Sequence, residues 1–457
     1  MRLRAYLIRN DSPLSPSRKL IASLILVLLA LNSVSNFATA TSIQPVVSQA
    51  PTPQTLTGTF QVVNNGPGDQ IDPDLDCNLT SYVTQDGLGN SRIQLSPMPG
   101  TTGYMIPGNG LDFQPDVSGN RVAFTEDTPS GASVAVFDAM FQMRTDIPGA
   151  KRSHPAIGGD LVAYEDRSFF AGPNLSELGV YDLSTATDIR LTNDSLFDKN
   201  PSVSPTGNAV VWEKCQTDGL GCNIYAAVQT SPGAFTSRAL TSAAGENRYP
   251  DTNGQIAIYI SDRSGENDIY YQPLTGGAET RIAIPGDQRD LSISGNLIAF
   301  NSQAPGQSNY DIYVYDLNTA ALYQATNTPA VTEMSTRMTF CNGVGRMVYV
   351  SPGSDWDVYA FTFQLPSSPS PTPADQINAL IALVRSFNLS QPIESSLVTR
   401  LQDALAAVNS NDTATACSSL TSFISKVQSQ SNKKITVDQK TQLTTSANQI
   451  KTNLGCP

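Results

Sequence analysis

The chain has 457 residues, of which 40% are hydrophobic, and it contains 30 Pro and 32 Gly, a composition typical of a turn-rich globular protein. Forty acidic residues outnumber 28 basic ones, and the net charge of −12 argues against nucleic acid as a partner. The single histidine excludes metal centres that need two histidine ligands.

The N-terminus has the pattern of a signal peptide. Five basic residues precede the apolar run LIASLILVLLALNSV at 20–34, and the small residues ATA follow at 38–40. The run is short for a membrane span. Residues 1–40 are therefore predicted to be cleaved, with an uncleaved anchor as the alternative. The mature chain, with no transmembrane span, would be exported to the periplasm, the cell surface or the medium.

Two Pro-rich segments divide the exported part. Residues 41–56 are predicted to be a disordered leader, and residues 365–375 are predicted to be a Pro/Ser linker that packs poorly. The chain before the linker has the pattern of strands and turns, and the chain after it has helical spacing. The sequence thus predicts two domains of different class.

Residues 57–364 contain seven copies of a pattern in which an aromatic strand follows a Gly/Asn turn, at spacings of 40 to 49 residues. The matched positions are Tyr82, Phe124, Tyr164, Trp212, Tyr259, Phe300 and Tyr349. Four strands in each copy of ~42 residues is the period of a propeller blade. The sequence therefore predicts an all-β seven-bladed β-propeller.

The seventh copy runs into the linker without an outermost strand of its own. The segment 57–64 resembles the missing strand, because TFQVVNNGPG compares with LYQATNTPA in the sixth copy. We expect 57–64 to complete the last blade, which ties the two ends of the ring together and removes an open sheet edge.

Residues 376–457 are predicted to form a small all-α bundle of four helices. Apolar residues recur at intervals of three and four residues in four segments, at 377–387, 393–408, 411–427 and 436–454. The last segment opens with Thr436 and Gln439, the two partners of a capping box.

The stretch ISDRSGENDIYYQPLTGG at 260–277 resembles the blade signature of TolB-type propellers, in which an S-D-R-x-G turn leads to a D-I-Y strand. The resemblance covers roughly 68–364. It implies the propeller fold and a role in binding partners, although a few such propellers are enzymes. TolB itself usually has six blades and an N-terminal α/β domain, which has no counterpart in this sequence. The tail at 423–456 resembles the FIMAH-type helical module of exported bacterial proteins, which implies attachment or protein interaction.

The carboxylates of that stretch, Asp262, Glu266 and Asp268, allow two interpretations. They are suited to Ca²⁺ ligation or acid/base chemistry, and equally to the hydrogen bonds of hairpin turns. Asp recurs at the same position in other copies, as Asp311 and Asp357. A residue repeated in successive blades is more often a device of the fold than a set of active sites. No cofactor is therefore expected, with Ca²⁺ as the alternative.

A second group of carboxylates follows the Pro that opens several copies: Asp74, Asp116 and Asp251. The innermost strand of a propeller lines its central channel. These three residues are the predicted ligand-binding residues, suited to cations or a basic peptide, and solvation of a strand end is the alternative.

No catalytic residue is assigned from the sequence. His154, the lone histidine, has no G-x-S-x-G elbow to partner it, so it is interpreted as incidental. Of the two tryptophans, Trp212 aligns with core aromatics. Trp356 is placed in a turn and is the candidate for stacking on a sugar.

Six cysteines in an exported chain predict three disulfides, with free buried thiols as the alternative. One pair flanks a turn of the fourth copy, one lies at matching turns of the first and seventh copies, and one would staple the third helix to the chain end. The pairs are Cys215–Cys222, Cys77–Cys341 and Cys417–Cys456.

Together these features predict an exported, monomeric, non-enzymatic propeller that binds a protein or glycan partner. The alternative is a polysaccharide-acting lyase or glycosidase that uses carboxylates at the channel mouth. Lyases of this architecture tend to need metal-binding histidines, which argues against a lyase, whereas a glycosidase needs only two carboxylates.

Overall fold

The computed structural model describes residues 50–456, except for 78, 98–102, 109–110, 169–174, 243–244, 367–371, 388 and 431–433. The predicted signal peptide and residues 41–49 of the predicted leader lie outside this part of the chain. The described residues form seven sheets followed by four helices, which confirms the fold class that the repeats predict.

The N-terminal strands are β1 (Gln54–Thr55) and β2 (Gly58–Asn64). Blades 1 and 2 contain β3 (Asp69–Asp76), β4 (Leu79–Gln85), β5 (Ser91–Pro97), β6 (Tyr104–Met105), β7 (Leu111–Ser118), β8 (Arg121–Thr128), β9 (Gly131–Asp138) and β10 (Met143–Asp146). Blades 3 and 4 contain β11 (Arg152–Gly158), β12 (Leu161–Asp166), β13 (Glu177–Asp182), β14 (Thr187–Arg190), β15 (Phe197–Val203), β16 (Ala209–Cys215), β17 (Asn223–Ser231) and β18 (Ala234–Ala239). Blades 5 and 6 contain β19 (Asn247–Thr252), β20 (Ile256–Ser261), β21 (Asp268–Pro273), β22 (Thr280–Ile282), β23 (Asp287–Ser294), β24 (Leu297–Gln303), β25 (Asp311–Asp316) and β26 (Ala321–Gln324). Blade 7 contains β27 (Met334–Cys341), β28 (Val344–Pro352) and β29 (Trp356–Phe363).

The N-terminal strands join two neighbouring blades. β2 pairs antiparallel with β29 and forms the outer strand of blade 7, with Phe60 opposite Phe361. β1 pairs parallel with β26 and adds a fifth strand to blade 6. The prediction that 41–56 is disordered is therefore wrong for residues 54–56. The outer edge of blade 6 offers unpaired backbone groups to β1, and Leu56 becomes buried.

Each innermost strand carries the same irregularity. In each of the seven, the pairing register with the second strand shifts, and one residue has a φ between 49° and 54°. These residues, called the bulge tier below, are Asp72, Gln114, His154, Asn200, Tyr249, Asp290 and Ser335. An inserted residue of this kind bends a strand and changes the direction of its side chains.

Aromatic residues of the second and third strands pack between the sheets. The seven aromatic positions of the repeat are all buried. Tyr259 stacks on Tyr270 with ring centroids 6.0 Å apart, and Phe300 stacks on Tyr313 at 5.9 Å. Such cross-strand aromatic pairs stabilise a sheet beyond the apolar area that they bury.

The C-terminal helices are α1 (Pro373–Ser386), α2 (Gln391–Asn409), α3 (Thr413–Gln430) and α4 (Val437–Asn453). They enclose an apolar core that includes Leu380, Leu401 and Phe423. α1 begins inside the predicted linker, because a capping box starts at Thr372. The box predicted at Thr436 begins α4. No helix in the described part of the chain is long and apolar enough to cross a membrane.

Three disulfides join the same pairs of cysteines that their positions along the sequence suggest. They are Cys77–Cys341, Cys215–Cys222 and Cys417–Cys456. The first connects blade 7 to blade 1, beside the point where the ring closes, and the third connects α3 to the chain end.

Candidate functional site: the central channel

The seven innermost strands surround a channel with a volume of about 900 Å³. Each strand contributes a residue of the bulge tier. Two residues further on it contributes a second residue, and this second ring is called the middle tier. The middle tier consists of Asp74, Asp116, Ala156, Ser202, Asp251, Ser292 and Arg337. The structure thus brings the three predicted aspartates into one ring around the channel axis.

The wall of the channel is strongly acidic. Among the described lining residues, six are aspartates, and the charged or titratable bases are Arg337 and His154. The aspartates are Asp72, Asp74, Asp76, Asp116, Asp251 and Asp290. Low-dielectric walls strengthen the field of such a group of like charges, so the channel favours a positively charged occupant.

Each predicted aspartate also links its blade to another. The Oδ2 atom of Asp74 accepts a hydrogen bond from the backbone N–H of Val117, at 2.6 Å. Asp116 Oδ2 accepts one from a backbone N–H of blade 3, at 2.5 Å. Asp251 Oδ2 accepts one from Ile293 at 2.8 Å. One oxygen of each carboxylate is therefore fixed by the ring itself, which holds the group in place.

Burial changes the acidity of this tier. It raises the pKa of Asp74 to about 6, and the nearby Arg337 guanidinium opposes that rise. Burial also raises the pKa of Asp116 well above its usual range, and the charge of Asp74 raises it further. A cation that enters the channel would therefore compete with protons for these carboxylates.

The bulge tier is held by side chains of the preceding blade. The backbone N–H of Asn200 donates to Glu165 Oε1 at 3.1 Å, and that of Tyr249 donates to Glu213 Oε1 at 2.7 Å. Both glutamates are buried, and each directly follows the aromatic residue that recurs in the seven copies. Sequence reasoning missed them. The available signal was a Glu after the aromatic in two adjacent copies, at Tyr164 and Trp212.

His154 lies in the channel wall, although its sequence position suggested an incidental residue. Its Nε2 lies 2.7 Å from Gln114 Nε2, and its Nδ1 lies 3.4 Å from Glu165 Oε2. Its backbone N–H donates to Thr125 Oγ1 at 3.1 Å. These contacts orient the ring within the bulge tier and give it a place in the candidate site.

The acidic turn at 260–277 has a structural environment. Asp268 is buried, forms an ion pair with Arg281 at 2.9 Å and accepts a hydrogen bond from Ser264. Asp262 Oδ1 accepts one from the backbone N–H of Glu246 at 2.8 Å. Neither aspartate lines the channel. These contacts support the hairpin interpretation of the turn.

Trp356 lies apart from the three aspartates. It is the first residue of β29, so its assignment to a turn is wrong, and it is partly buried against Tyr82, Val350 and Val358. Its backbone N–H donates to Asp69 at 3.1 Å. It does not line the channel, and its role in sugar stacking stays a prediction.

Among the described residues, no group of three close metal ligands includes a middle-tier aspartate. The group of this kind near the channel contains Asp76 and the disulfide-bonded Cys77 and Cys341.

Comparison with known proteins covers the two parts of the chain separately. Residues 374–452 match the family model described as the FIMAH domain, in agreement with the resemblance of the tail. A search among curated protein sequences finds no match.

Similar solved structures cover the propeller. The β-propeller domain of the Trilobed protease from Pyrococcus furiosus is 12% identical, with a TM-score of 0.50, over 66% of this chain and 97% of that one. A puromycin-hydrolyzing peptidase from Mycobacterium tuberculosis is 13% identical, with a TM-score of 0.50, over 70% of this chain and 56% of that one. TolB from Acinetobacter baumannii is 18% identical, with a TM-score of 0.38, over 63% of this chain and 80% of that one. The first two structures, with TM-scores of 0.50, show a shared fold, and identities this low show nothing about activity.

Proposed function

We propose that this chain is an exported, non-enzymatic propeller that binds a protein or glycan partner, and that its channel receives a positively charged group of that partner. The observation that carries the proposal is the composition of the channel wall, where six aspartates are opposed by a single arginine in a volume of about 900 Å³. A basic peptide segment has the charge for such a site.

The geometry of the middle tier supports binding over catalysis. Glycoside hydrolysis needs one carboxyl group as a proton donor and another as a base or nucleophile. Asp74, Asp116 and Asp251 each commit one oxygen to a backbone N–H of another blade. Carboxylates held in this way are suited to a fixed electrostatic surface, so the channel favours recognition of charge.

Arg337 would determine the orientation of a ligand in the channel. It is the middle-tier residue of blade 7. Burial raises the pKa of Asp72, Asp74 and Asp116 in blades 1 and 2, and the charge of Arg337 opposes that rise. A ligand that carries an anionic or carbonyl group beside its cation would place the anionic end toward this guanidinium. A peptide with a basic side chain next to its backbone carbonyls fits that arrangement.

Binding of short peptides tests the proposal. We expect residues 41–457 to bind a fluorescent hexa-arginine peptide in an anisotropy titration, and the affinity should fall as the salt concentration increases. Hexa-glutamate should not bind. At pH 7.5, where Asp74 is largely ionised, Asp74→Asn keeps the shape and an acceptor oxygen and should weaken binding about tenfold, equivalent to about 1.4 kcal/mol. Arg337→Gln should strengthen it.

Asp127→Asn provides the matched control, because Asp127 is exposed on blade 2 and lies outside the channel. Peptide binding that both aspartate variants reduce equally would place the interaction on the general surface. Turnover of a polysaccharide that Asp116→Asn abolishes would overturn the binding proposal in favour of the glycosidase.

A further inference from the structure

A second cluster of carboxylates lies outside the channel, where blade 3 meets blade 4. Glu177 is the first residue of β13, Asp194 lies in the connection between the blades, and Asp198 is the second residue of β15. One carboxylate oxygen of each residue lies within 4.8 Å of those of the other two. Two oxygens that bind one Ca²⁺ at 2.3–2.6 Å are at most about 5 Å apart, so this spacing suits a shared ion.

Two oxygens of the cluster lack donors. Glu177 and Asp198 are fully buried, and Glu177 Oε2 and Asp198 Oδ2 have no hydrogen-bond partner among the described residues. The companion oxygens are satisfied. Glu177 Oε1 accepts from the backbone N–H of Asp194 at 2.7 Å, and Asp198 Oδ1 accepts from Trp212 Nε1 at 2.7 Å. Buried carboxylate oxygens are costly without a partner, so the two remaining oxygens call for a cation or a proton.

The neighbouring basic groups leave this need unmet. Arg190 Nη2 lies 3.3 Å from the Oε1 atom of Glu177, and Lys214 Nζ lies 3.2 Å from the Oδ1 atom of Asp198 and also contacts Asp194. Both cations therefore contact oxygens other than the two unpartnered ones. Glu177 and Asp198 are buried, whereas Asp194 is exposed. Three carboxylates against two cations leave one excess negative charge beside the two buried oxygens, which is unfavourable without a further positive charge.

The same position in the other blades is occupied by different residues. Asp112 of blade 2 is also a fully buried aspartate with an unpartnered oxygen, and blade 3 has Arg152 there. Gln70, Asn247 and Gln288 correspond to Asp198, two residues before the bulge tier, and each also has a buried side-chain oxygen without a partner among the described residues. In blade 7 the position is Glu333, whose two oxygens accept hydrogen bonds from threonine hydroxyls. At the junction of blades 3 and 4 three carboxylates lie close together and two of them have an unpartnered oxygen, whereas Asp112 belongs to no such group in the described chain. The other two such groups in the described chain contain disulfide-bonded cysteines.

We propose that Glu177, Asp194 and Asp198 bind one calcium ion at the junction of blades 3 and 4. The ligands are hard carboxylate oxygens, which suit Ca²⁺ over softer metals. The ion joins the third strand of one blade to the first strand of the next. The affinity expected for such an extracellular type of site is a Kd of about 10⁻⁴–10⁻³ M. This site is independent of the proposed channel function.

Terbium luminescence tests the site directly, because Tb³⁺ replaces Ca²⁺ and accepts energy from a nearby tryptophan. Trp212 donates a hydrogen bond to Asp198, so excitation of Trp212 should produce Tb³⁺ emission in EDTA-treated residues 41–457. Calcium should displace the emission. Asp198→Asn and Glu177→Gln should each weaken Tb³⁺ binding about tenfold or more, as expected when a ligand charge is lost.

Two control variants test whether Tb³⁺ binds at the junction of blades 3 and 4. Asp127→Asn removes an exposed carboxylate of blade 2 outside both sites and should leave Tb³⁺ binding unchanged. Trp356→Phe removes the other tryptophan and should leave the sensitised emission unchanged. Emission that persists in Asp198→Asn but disappears in Asp74→Asn would overturn the assignment and place the ion in the channel.

Thermal unfolding of the unmodified chain keeps the proposal testable if a variant does not fold. Millimolar CaCl₂ should raise the Tm by about 2–5 °C over EDTA, because an ion that binds the folded state stabilises it. Stabilisation by NaCl at equal ionic strength to the same extent would overturn the calcium assignment. Absence of both Tb³⁺ emission and a calcium-dependent Tm would also overturn it, and would indicate a proton shared by Glu177 and Asp198.

Discussion

The propeller and the helical module bury different kinds of residue. In the described part of the propeller, the interior contains charged groups such as Asp112, Glu165, Glu213 and Asp311, whereas the buried residues of the module are all apolar. Seven inner strands that meet around one axis bring polar residues and backbone N–H groups together, and side-chain carboxylates satisfy them. A helix satisfies its own backbone, so the module needs apolar contacts alone. Among the described residues, buried charge is therefore concentrated in the propeller.

Each region contains a disulfide, and the two disulfides differ in the sequence separation of their cysteines. Removing each one should therefore lower the free energy of unfolding by a different amount. Cys77 and Cys341 are 264 residues apart, and Cys417 and Cys456 are 39 residues apart. Loop-closure entropy predicts a loss of about 6 kcal/mol for Cys77→Ser/Cys341→Ser and about 4 kcal/mol for Cys417→Ser/Cys456→Ser. Denaturant unfolding of both double variants measures the difference. Equal losses would show that the native ring holds blades 1 and 7 together without the bond.

The apolar core of the module predicts the next largest effect. Phe423 is fully buried between the helices, so Phe423→Ala should destabilise the module by about 3–5 kcal/mol. Differential scanning calorimetry should then show an earlier transition for the module and an unchanged transition for the propeller. A shift of both transitions together would mean that the two regions unfold as one cooperative unit.

The propeller could be predicted from sequence because each blade repeats the same pattern of buried residues. The aromatic positions mark the second strand of every copy, and their spacing fixes the number of blades. Three channel carboxylates were also visible, because each follows a Pro that ends the bulge. Arg337 was missed, because its copy has Ser335 and Thr336 where most others have a residue and Pro.

The remaining site residues depend on contacts between copies, which no pattern within one copy reveals. Glu165 holds the bulge of the next blade, and Glu177 meets Asp198 across a blade junction. The register shift that produces the bulge tier depends on pairing with a neighbouring strand. A positive φ at Asp72 or Tyr249 follows from that pairing, because local propensity does not favour it for these residues.

The response to pH should separate the two regions further. Burial raises the pKa of Glu333 from 4.5 to about 7, and it raises that of Asp112 to about 6. Because these pKa values are higher in the folded state, folding takes up protons between about pH 4 and 7, and stability falls as the pH rises through that window. The propeller should therefore have a higher Tm at pH 5 than at pH 7.5.

Glu333→Gln provides the check on that assignment. The variant should lose about 2 kcal/mol of the pH-dependent change in unfolding free energy, and its advantage over the unmodified chain should grow toward pH 7.5. The module has no buried titratable group among its described residues, so its own transition should remain nearly constant. A pH response of equal size in both transitions would contradict the contrast between the two interiors.

The smallest expected effect concerns ligand binding in the channel. Asp74, with a pKa raised to about 6 by burial, is largely protonated at pH 5 and ionised at pH 7.5. A cationic peptide attracts the ionised form, so the affinity for hexa-arginine should increase about fivefold to tenfold across this range. Asp74→Asn should remove most of that increase, and Asp127→Asn should preserve it. Anisotropy titrations that give the same Kd at both pH values would show that the peptide does not reach the middle tier. The buried charges of the propeller would then only stabilise the ring of blades, as the apolar residues stabilise the module.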